Sequence, residues 1–240
     1  MKIMVINPNS SEEMTRQIEQ VLSQIKRPET ELTVVRVEEA PPAIESDTDI
    51  AQAVPGVLRL VRRANEEGYD AVIIACFSDP GLSAAREVSE ILVLGIEETS
   101  LHVAAMLGHK FTVLTPLPQR VPKKEREIKA LGLGEALASV RPLGLTVTET
   151  EAEPERTKAR VLEVSRKAIE EDEAEVLVLG CAGMTGYSED IEKSLGVIVI
   201  DPTSITLKVA EGMVEAGLKH SKRALYRTPE APVDQREDRK

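Results

Sequence analysis

The chain has 240 residues, of which 42% are hydrophobic, so it can bury one large core or two small ones. Its formal net charge of −11, with no basic stripe along the sequence, argues against nucleic acid as a partner. No apolar run approaches the roughly 18 residues that a membrane-spanning helix needs, and no signal-peptide pattern is present. We therefore expect a cytoplasmic protein that does not associate with membranes.

Short apolar runs alternate with longer stretches of helical periodicity along the whole chain. The runs are nearly continuous and rich in β-branched residues, as is typical of parallel strands covered on both faces. The segments between them are long enough for right-handed helical crossovers, which favours an α/β fold of parallel sheets flanked by helices. The predicted strands are 3–6, 32–37, 71–75, 91–94, 111–114, 176–179 and 197–200.

Helix signals fill the intervals between the predicted strands. Asn9 precedes a capping-box-like start at 10–13, and helical spacing runs over 54–67, where Gly68 follows closely. Further helices are predicted over about 155–171 and 203–218. The polar, proline-bearing segment 226–240 lacks apolar periodicity, so we expect it to be a loose tail.

The second half of the sequence repeats landmarks of the first half in the same order, at offsets of 108, 105 and 104 residues. This near-constant spacing predicts two similar flavodoxin-like lobes related by a pseudo-twofold axis, with a site in the cleft between them. We expect one lobe to comprise 1–97 joined by about 205–225, and the other to comprise 98–204. The matched landmarks are Pro8 with Pro116, Cys76 with Cys181, and Thr99 with Thr203.

Cys76 and Cys181 each come directly after a predicted strand, at the sheet edge where open parallel sheets bind ligands. Backbone N–H groups and the start of a following helix are expected to lower the pKa of each thiol from its usual value of about 8.5. Facing lobes would place the two sulfurs on opposite sides of one molecule. One thiolate could then remove a proton from a carbon next to a carbonyl, and the other thiol could return one to the opposite face.

Other residues at the same edge are candidates for binding the substrate. The N–H groups that follow the two cysteines could stabilise the negative oxygen of an enolate. Asn9, Ser10 and Ser78 offer side-chain hydrogen bonds, and Gly183 permits a close approach of the backbone. Thr115 is the counterpart of Asn7 in the repeat.

Three segments resemble the signature regions of the hydantoin racemases, a branch of the aspartate/glutamate racemase superfamily that includes allantoin racemases. Order and spacing match over residues 1–210. The resemblance implies a two-lobed fold, a reaction without a cofactor, Cys76 and Cys181 as an acid/base pair, a small-molecule substrate and a homo-oligomer. The segments are Ile6-Asn-Pro-Asn-Ser10, Ala75-Cys-Phe-Ser-Asp-Pro-Gly-Leu82 and Leu179-Gly-Cys-Ala-Gly-Met184.

The residues next to the cysteines bear on the class of substrate. Amino-acid racemases of the superfamily typically carry Cys-Asn-Thr and Cys-Thr, where this chain has Phe77-Ser78 and Ala182-Gly183. The loss of these polar side chains favours a neutral ring, with Phe77 packing against it. The segment Glu97-Glu-Thr-Ser100 departs from the Glu-Ala-Ser/Ala pattern of hydantoin racemases.

Simpler interpretations of these residues remain open. A cysteine at a strand end can be a small buried hydrophobe, and the two cysteines could form a disulfide. Asn9 and Ser10 could cap the first helix, and Asp79-Pro-Gly81 could only shape a turn. The chain has no C-x-x-C pair, and its three histidines do not complete a metal site.

The fold also admits other functions. The chain could act on aspartate or glutamate, or catalyse another isomerisation or a decarboxylation known in the superfamily. It could also be a two-lobed sensor of small molecules without catalytic activity.

Overall fold

The structure is a computed structural model that describes residues 1–229, with Glu151 described by its backbone alone. The strands within this part of the chain are β1 (Lys2–Asn7), β2 (Glu31–Arg36), β3 (Ala71–Ile74), β4 (Leu92–Gly95), β5 (Phe111–Thr115), β6 (Leu137–Pro142), β7 (Val176–Leu179) and β8 (Ile198–Ile200).

The helices are α1 (Glu12–Ile25), α2 (Asp47–Glu66), α3 (Leu82–Val88), α4 (Ile96–Leu107), α5 (Val121–Ala130), α6 (Val147–Ala152), α7 (Pro154–Asp172), α8 (Ser188–Leu195) and α9 (Pro202–Glu215). Short 3₁₀ helices cover Pro118–Arg120 and Ala182–Met184. Among residues 1–229, no helix is long and apolar enough to cross a membrane.

The strands form two four-stranded sheets with the same internal order. The first sheet is arranged β2-β1-β3-β4 and the second β6-β5-β7-β8, and every neighbouring pair is parallel. Helices connect successive strands, as parallel pairing requires. The predicted α/β class and the predicted repetition are both confirmed.

One apolar core is shared by the two sheets. Alternate residues of a strand point to opposite faces, and the face of the first sheet that carries Val5 and Ile73 joins the same core as Leu177 and Leu179 of the second sheet. The other faces of the sheets belong to two separate clusters. The shared core holds the two sheets against each other, and thereby fixes the relation between their strand ends.

Helix α2 and strand β6 are instructive differences from the sequence-based expectation. Helix α2 begins at Asp47, because Ser46 and Asp49 form a capping box ahead of the apolar periodicity that we used to place its start. Strand β6 was not predicted. It lies at the edge of its sheet and includes Arg141, which forms ion pairs with Glu171 and Asp172, so it lacks the apolar composition of the central strands.

The last helix returns to the first sheet. Helix α9 packs against α1, α4, β3 and β4.

The segment after α9 also contacts the first half of the chain. His220 Nε2 lies 2.9 Å from the backbone nitrogen of Val93, and the hydroxyl of Tyr226 accepts a hydrogen bond from Arg86 at 3.1 Å. Tyr226 is therefore anchored, although we expected a loose tail over 226–240, and residues 230–240 of that segment lie outside the described residues. The exact division into lobes stays a prediction.

The close approach of β7 to β5 generates a prediction about Gly180. A Cβ atom at this position would lie 2.6 Å from the carbonyl oxygen of Leu114. We expect Gly180→Ala to lower the free energy of unfolding by about 1–3 kcal/mol, as overpacking of a core does. Urea denaturation of the two proteins measures the difference.

Gly212 in α9 provides a control, because nothing lies within 4 Å of a Cβ atom built there. Gly212→Ala should stabilise the protein by about 0.5–1 kcal/mol through helix propensity. Equal stability of Gly180→Ala and the unmodified protein would contradict the close approach.

Candidate active site

A cavity lies where the central strands of both sheets end. It has a volume of about 520 Å³, including space that is open to solvent, and it is lined by residues from the loops that follow β1, β3, β5 and β7. The lining residues are Asn9, Met14, Ile44, Glu45, Ala75, Cys76, Phe77, Ser78, Thr115, Pro116, Leu117, Arg120, Lys124, Val147, Gly180, Cys181 and Ala182.

Equivalent backbone contacts position the two cysteines. The residue before each cysteine continues the parallel hydrogen-bond pattern of its sheet: the Ala75 N–H donates to Ile6 O at 2.8 Å, and the Gly180 N–H donates to Leu114 O at 2.8 Å. Both thiols consequently reach the cavity from the same kind of strand end. They do not form a disulfide within the described chain.

A tight turn follows Cys76. The N–H groups of Ser78 and Asp79 both donate to the Cys76 carbonyl oxygen, at 2.8 and 3.0 Å, and α3 begins only after this turn. Burial, together with a smaller contribution from the nearby Cys181, raises the pKa of the Cys76 thiol to about 12, and the charge of Lys124 opposes the change. The expectation of a lowered thiol pKa is wrong for Cys76, because desolvation is the dominant effect.

Cys181 is buried, with 7% of its surface exposed. The backbone N–H of Gly183 donates to its sulfur at 3.3 Å. A Cβ atom at position 183 would lie 3.5 Å from this sulfur and 3.0 Å from Thr150 Oγ1, so glycine allows the turn to fold closely around Cys181. Its sulfur therefore has a hydrogen-bond donor that would stabilise a thiolate.

The structure brings most of the predicted binding residues to the cavity. Asn9, Phe77, Ser78, Thr115 and Ala182 line it. Gly183 does not line it and contributes through Cys181, as described above. Ser10 lies outside the lining, and its N–H bonds to the β2–α2 loop.

Asn9 is held in place on both sides of its amide. Its Oδ1 accepts hydrogen bonds from Asn7 Nδ2 at 2.8 Å and from the Ser11 N–H at 2.9 Å, while its Nδ2 lies 3.2 Å from Met14 Sδ. The N-cap of α1 is Ser11, one residue later than the alternatives we considered. These contacts fix the orientation of the polar Asn9 side chain where it lines the cavity. Ser10 does not cap the helix.

Several lining residues were not identified from the sequence. The repeat could have indicated the lining residue in the first turn of α5. The start of α5 corresponds in the repeat to the start of α1, and both lie where the first strand of a half ends. The others come from α1, from the 3₁₀ helix Pro118–Arg120, from α6 and from loops, and no motif singled them out. The residues missed are Met14, Ile44, Glu45, Leu117, Arg120, Lys124 and Val147.

A group of charged side chains lies at the turn after Cys76; we call it the Lys124 cluster, made of the buried Glu97 and Lys124 and the partly buried Asp79 and Glu127. Lys124 is 2% exposed and Glu97 is 4% exposed. Lys124 Nζ lies 2.8 Å from Glu97 Oε2 and 2.9 Å from Glu127 Oε2. This ammonium also lies 3.5 Å from Ser78 Oγ, so the cluster contacts the turn itself.

The ionisation of the cluster reflects competition between burial and charge. Burial alone would lower the pKa of Lys124, but Glu97 and Glu127 outweigh it and raise the pKa, so Lys124 stays protonated. Burial raises the pKa of Glu97, whose Oε1 has no hydrogen-bond partner among the described residues. Burial and the charge of Glu97 raise the pKa of Asp79 to about 8.

Asp79 joins the Cys76 turn to the start of α4. It adopts a positive φ of 42°, and its carboxylate accepts hydrogen bonds from the N–H groups of Glu97 at 3.0 Å and Glu98 at 2.8 Å. A Cβ atom at Gly95 would lie 2.2 Å from Asp79 Cγ, which explains a glycine there. Asp79 therefore caps α4 in addition to shaping the turn.

Polar links between the two halves of the molecule adjoin the cavity. Glu45 Oε1 accepts a hydrogen bond from the Val147 N–H at 2.7 Å, and Arg120 forms an ion pair with Asp47 at 3.2 Å. Arg120 and Lys124 are the cationic lining residues in the described chain, and both have acidic partners.

Comparison with known proteins gives consistent similarities. The family model described as Asp/Glu/Hydantoin racemase matches residues 3–210. A hydantoin racemase of Pseudomonas sp. (strain NS671) is 40% identical over 230 residues, covering 96% of this chain and 92% of that protein. A hydantoin racemase of Rhizobium meliloti is 38% identical, covering 95% of each. Among solved structures, an allantoin racemase from Klebsiella pneumoniae has a TM-score of 0.93 and 34% identity, covering 97% of this chain and 95% of that one.

The raised pKa of Cys76 predicts slow alkylation of this thiol in the protein without ligand. Only the thiolate reacts with iodoacetamide, so at pH 8 Cys76 should react at least about tenfold more slowly than the same cysteine in a short synthetic peptide. Its rate should continue to increase beyond pH 10. Peptide mapping by mass spectrometry follows the modification, and a plateau in rate near pH 8 would show that the pKa is not raised.

The capping contacts of Asp79 predict a loss of stability when its carboxylate is removed. Asp79→Ala should lower the free energy of unfolding by about 1–2 kcal/mol, as the loss of a helix cap does. Asp79→Asn keeps one acceptor oxygen and should have a smaller effect. Thermal unfolding measures the series, with Glu66→Ala on the exposed face of α2 as a control. A stability of Asp79→Ala equal to that control would rule out the cap.

Proposed function

Because the chain belongs to the Asp/Glu/hydantoin racemase family, we propose that this racemase inverts C5 of a 5-substituted hydantoin or of allantoin. Proton transfer by Cys76 and Cys181 carries out the inversion. The observation that carries the proposal is that both thiols line one cavity, each following a central strand of its own sheet. The corresponding strand ends give each side of a bound ring one proton-transfer group.

The reaction proceeds by exchange of a proton at C5. One thiolate takes the proton from C5, and the electron pair of the broken C–H bond moves towards the neighbouring C4 carbonyl to give a planar enolate. The thiol on the opposite face then donates its proton to C5, which forms the new C–H bond and leaves a thiolate on that side. The substrate undergoes no net chemical change other than inversion.

The surroundings of the two thiols assign their resting states. Burial raises the pKa of Cys76, which keeps this group protonated. Cys181 receives the hydrogen bond from the Gly183 N–H, which favours its thiolate. In the resting enzyme we therefore assign Cys181 as the base and Cys76 as the acid. The roles are exchanged when the opposite enantiomer is the substrate.

The enolate oxygen needs hydrogen-bond donors. No hydrogen bond to another described residue uses the backbone N–H of Phe77 or Ala182, the residues that follow the two cysteines. These two N–H groups are our candidates for stabilising the oxygen. Asn9, Ser78 and Thr115 supply the remaining polar contacts to the ring, and Phe77 packs against it.

The charges of the lining favour a neutral ring over a free amino acid. An amino-acid substrate brings a carboxylate, for which a cation without an acidic partner is the strongest binding group. Arg120 and Lys124 are each paired with acidic side chains, as described above. The remaining lining is largely apolar, with Met14, Ile44 and Leu117 among its members. A 5-substituted hydantoin or allantoin fits this environment better than aspartate or glutamate does.

Assembly and location remain separate predictions. We propose a homo-oligomer in the cytoplasm, without nucleic-acid or membrane partners. Light scattering of the purified protein measures the assembly, and a monomer at micromolar concentration would contradict it.

The proposed reaction predicts that deuterium from solvent enters C5 as the substrate racemises. Single enantiomers of 5-substituted hydantoins, allantoin, aspartate and glutamate are incubated with the enzyme in D₂O, and optical rotation and deuterium at the stereocentre are followed. We expect turnover of a hydantoin or of allantoin. Cys76→Ser and Cys181→Ser should each reduce racemisation by about 100-fold or more, which is the usual contribution of a general acid or base.

Ser10→Ala is a suitable control, because Ser10 lies outside the cavity lining and should leave the rate within about twofold. Turnover of aspartate or glutamate alone would move the assignment to the amino-acid branch. Ligand-induced stabilisation without deuterium exchange would instead indicate a sensor.

A further inference from the structure

The Lys124 cluster places a buried cation against the turn that follows Cys76. Lys124 Nζ lies 5.3 Å from the centre of the Phe77 ring and 3.5 Å from Ser78 Oγ, so it contacts both residues of the turn after Cys76. None of its described hydrogen bonds reaches the turn after Cys181. The described hydrogen bonds of Lys124 therefore connect it to the Cys76 side of the cavity.

The donors of Lys124 are already occupied. An ammonium group has three N–H donors, and Glu97, Glu127 and Ser78 lie within hydrogen-bond distance of it. Direct binding of a substrate would require one of these contacts to break. The geometry thus favours an action of Lys124 through the turn and through its charge, rather than direct contact with the ring.

We propose that Lys124 is a positioning residue for the Cys76 half of the site, where its ammonium holds Phe77 and Ser78 in place and supplies the positive charge that a Cys76 thiolate faces during turnover. The proposal rests on the proposed racemase function for its effect on turnover. Its effect on the reactivity of Cys76 does not require that function.

A buried ion pair with only a structural role would be energetically unfavourable at this position. Removing charged groups from water is unfavourable, and apolar residues can replace a buried ion pair without loss of stability. The cluster also leaves Glu97 Oε1 without a partner among the described residues. Contact with the Cys76 turn gives the buried charge a function that apolar packing would not provide.

Several charged groups act on Cys76 and Lys124 together. Opposite charges near a thiol favour its thiolate, and like charges disfavour it. The charge of Lys124 favours the Cys76 thiolate more strongly than the charge of Glu97 opposes it. The groups that face this part of the site are Asp79 from the turn after β3, Glu97 from α4, Lys123 and Glu127 from α5, and Cys181 after β7.

The experiment compares four variants of the full chain. Lys124→Met removes the charge, and Lys124→Arg keeps it. Lys124→Met combined with Glu97→Gln removes both members of the ion pair, which protects the fold from a buried carboxylate without a cation. Lys123→Met is the matched control, because Lys123 lies on the same helix and also pairs with Glu127 but does not line the cavity.

Two readouts are measured for each variant after circular dichroism has established that it is folded. The first is the rate of iodoacetamide alkylation of Cys76 and of Cys181 between pH 7 and 10.5, resolved by peptide mapping. The second is kcat and KM for racemisation as a function of pH. Alkylation needs no substrate, so it tests the role of Lys124 even if the wild-type enzyme shows no turnover on any substrate.

We expect Lys124→Met to slow alkylation of Cys76 by about tenfold at pH 9.5, since loss of a neighbouring opposite charge shifts a pKa by about one unit or more. The double variant should change in the same direction by about threefold, because Lys124 outweighs Glu97. Alkylation of Cys181 should stay within about twofold, kcat should fall and its pH profile should move to higher pH. Lys124→Arg should restore most of kcat.

Three results would overturn the proposal. Alkylation of Cys76 in a folded double variant could match the wild type, the two cysteines could change alike, or Lys123→Met could have the same effect as Lys124→Met. Absence of turnover in the wild-type enzyme would overturn the proposed function instead, and the alkylation data would still decide the role of Lys124.

Discussion

The apolar core between the two sheets is the interaction on which the active site depends. Val5 and Ile73 of the first sheet and Leu177 and Leu179 of the second belong to this one core, so the strand ends of both sheets occupy fixed positions beside the same cavity. Without it, the two thiols would not line one cavity, and the proposed transfer of protons at the two faces of one ring would not be possible. Hydrophobic burial therefore provides the geometry, and the polar links at the cavity add comparatively little.

An aspartate joins the cysteine loop to a helix start in each half of the chain, by different routes. Asp79 belongs to the first cysteine loop and accepts hydrogen bonds from the start of α4. Asp201 belongs to the start of α9, which it caps, and accepts a hydrogen bond from Gly186 of the second loop at 2.8 Å. Both halves therefore contain a hydrogen-bonded connection between the cysteine loop and the next helix start. The aspartate that makes it lies in the loop in the first half and at the helix start in the second half.

The sequence was sufficient to predict the parallel sheets, the repeat and the cavity edge, because the central strands and the residues after them carry strong local patterns. It did not predict the Lys124 cluster. Lys124 belongs to Lys-Lys-Glu-Arg-Glu in α5, a composition typical of an exposed helix face, and only tertiary packing buries it against Glu97. The pKa of Cys76 was misjudged for the same reason, since desolvation depends on neighbours distant in sequence.

The position of Lys124 beside the turn after Cys76 has a consequence for the kinetics of the proposed racemisation. Enantiomers have equal free energy in solution, so the equilibrium constant of the reaction is unity and kcat/KM must be the same in both directions. The Lys124 cluster cannot favour one direction by this measure. In the proposed mechanism its effect is to divide the shared value differently between kcat and KM, so that one enantiomer binds more tightly and turns over more slowly than its mirror image.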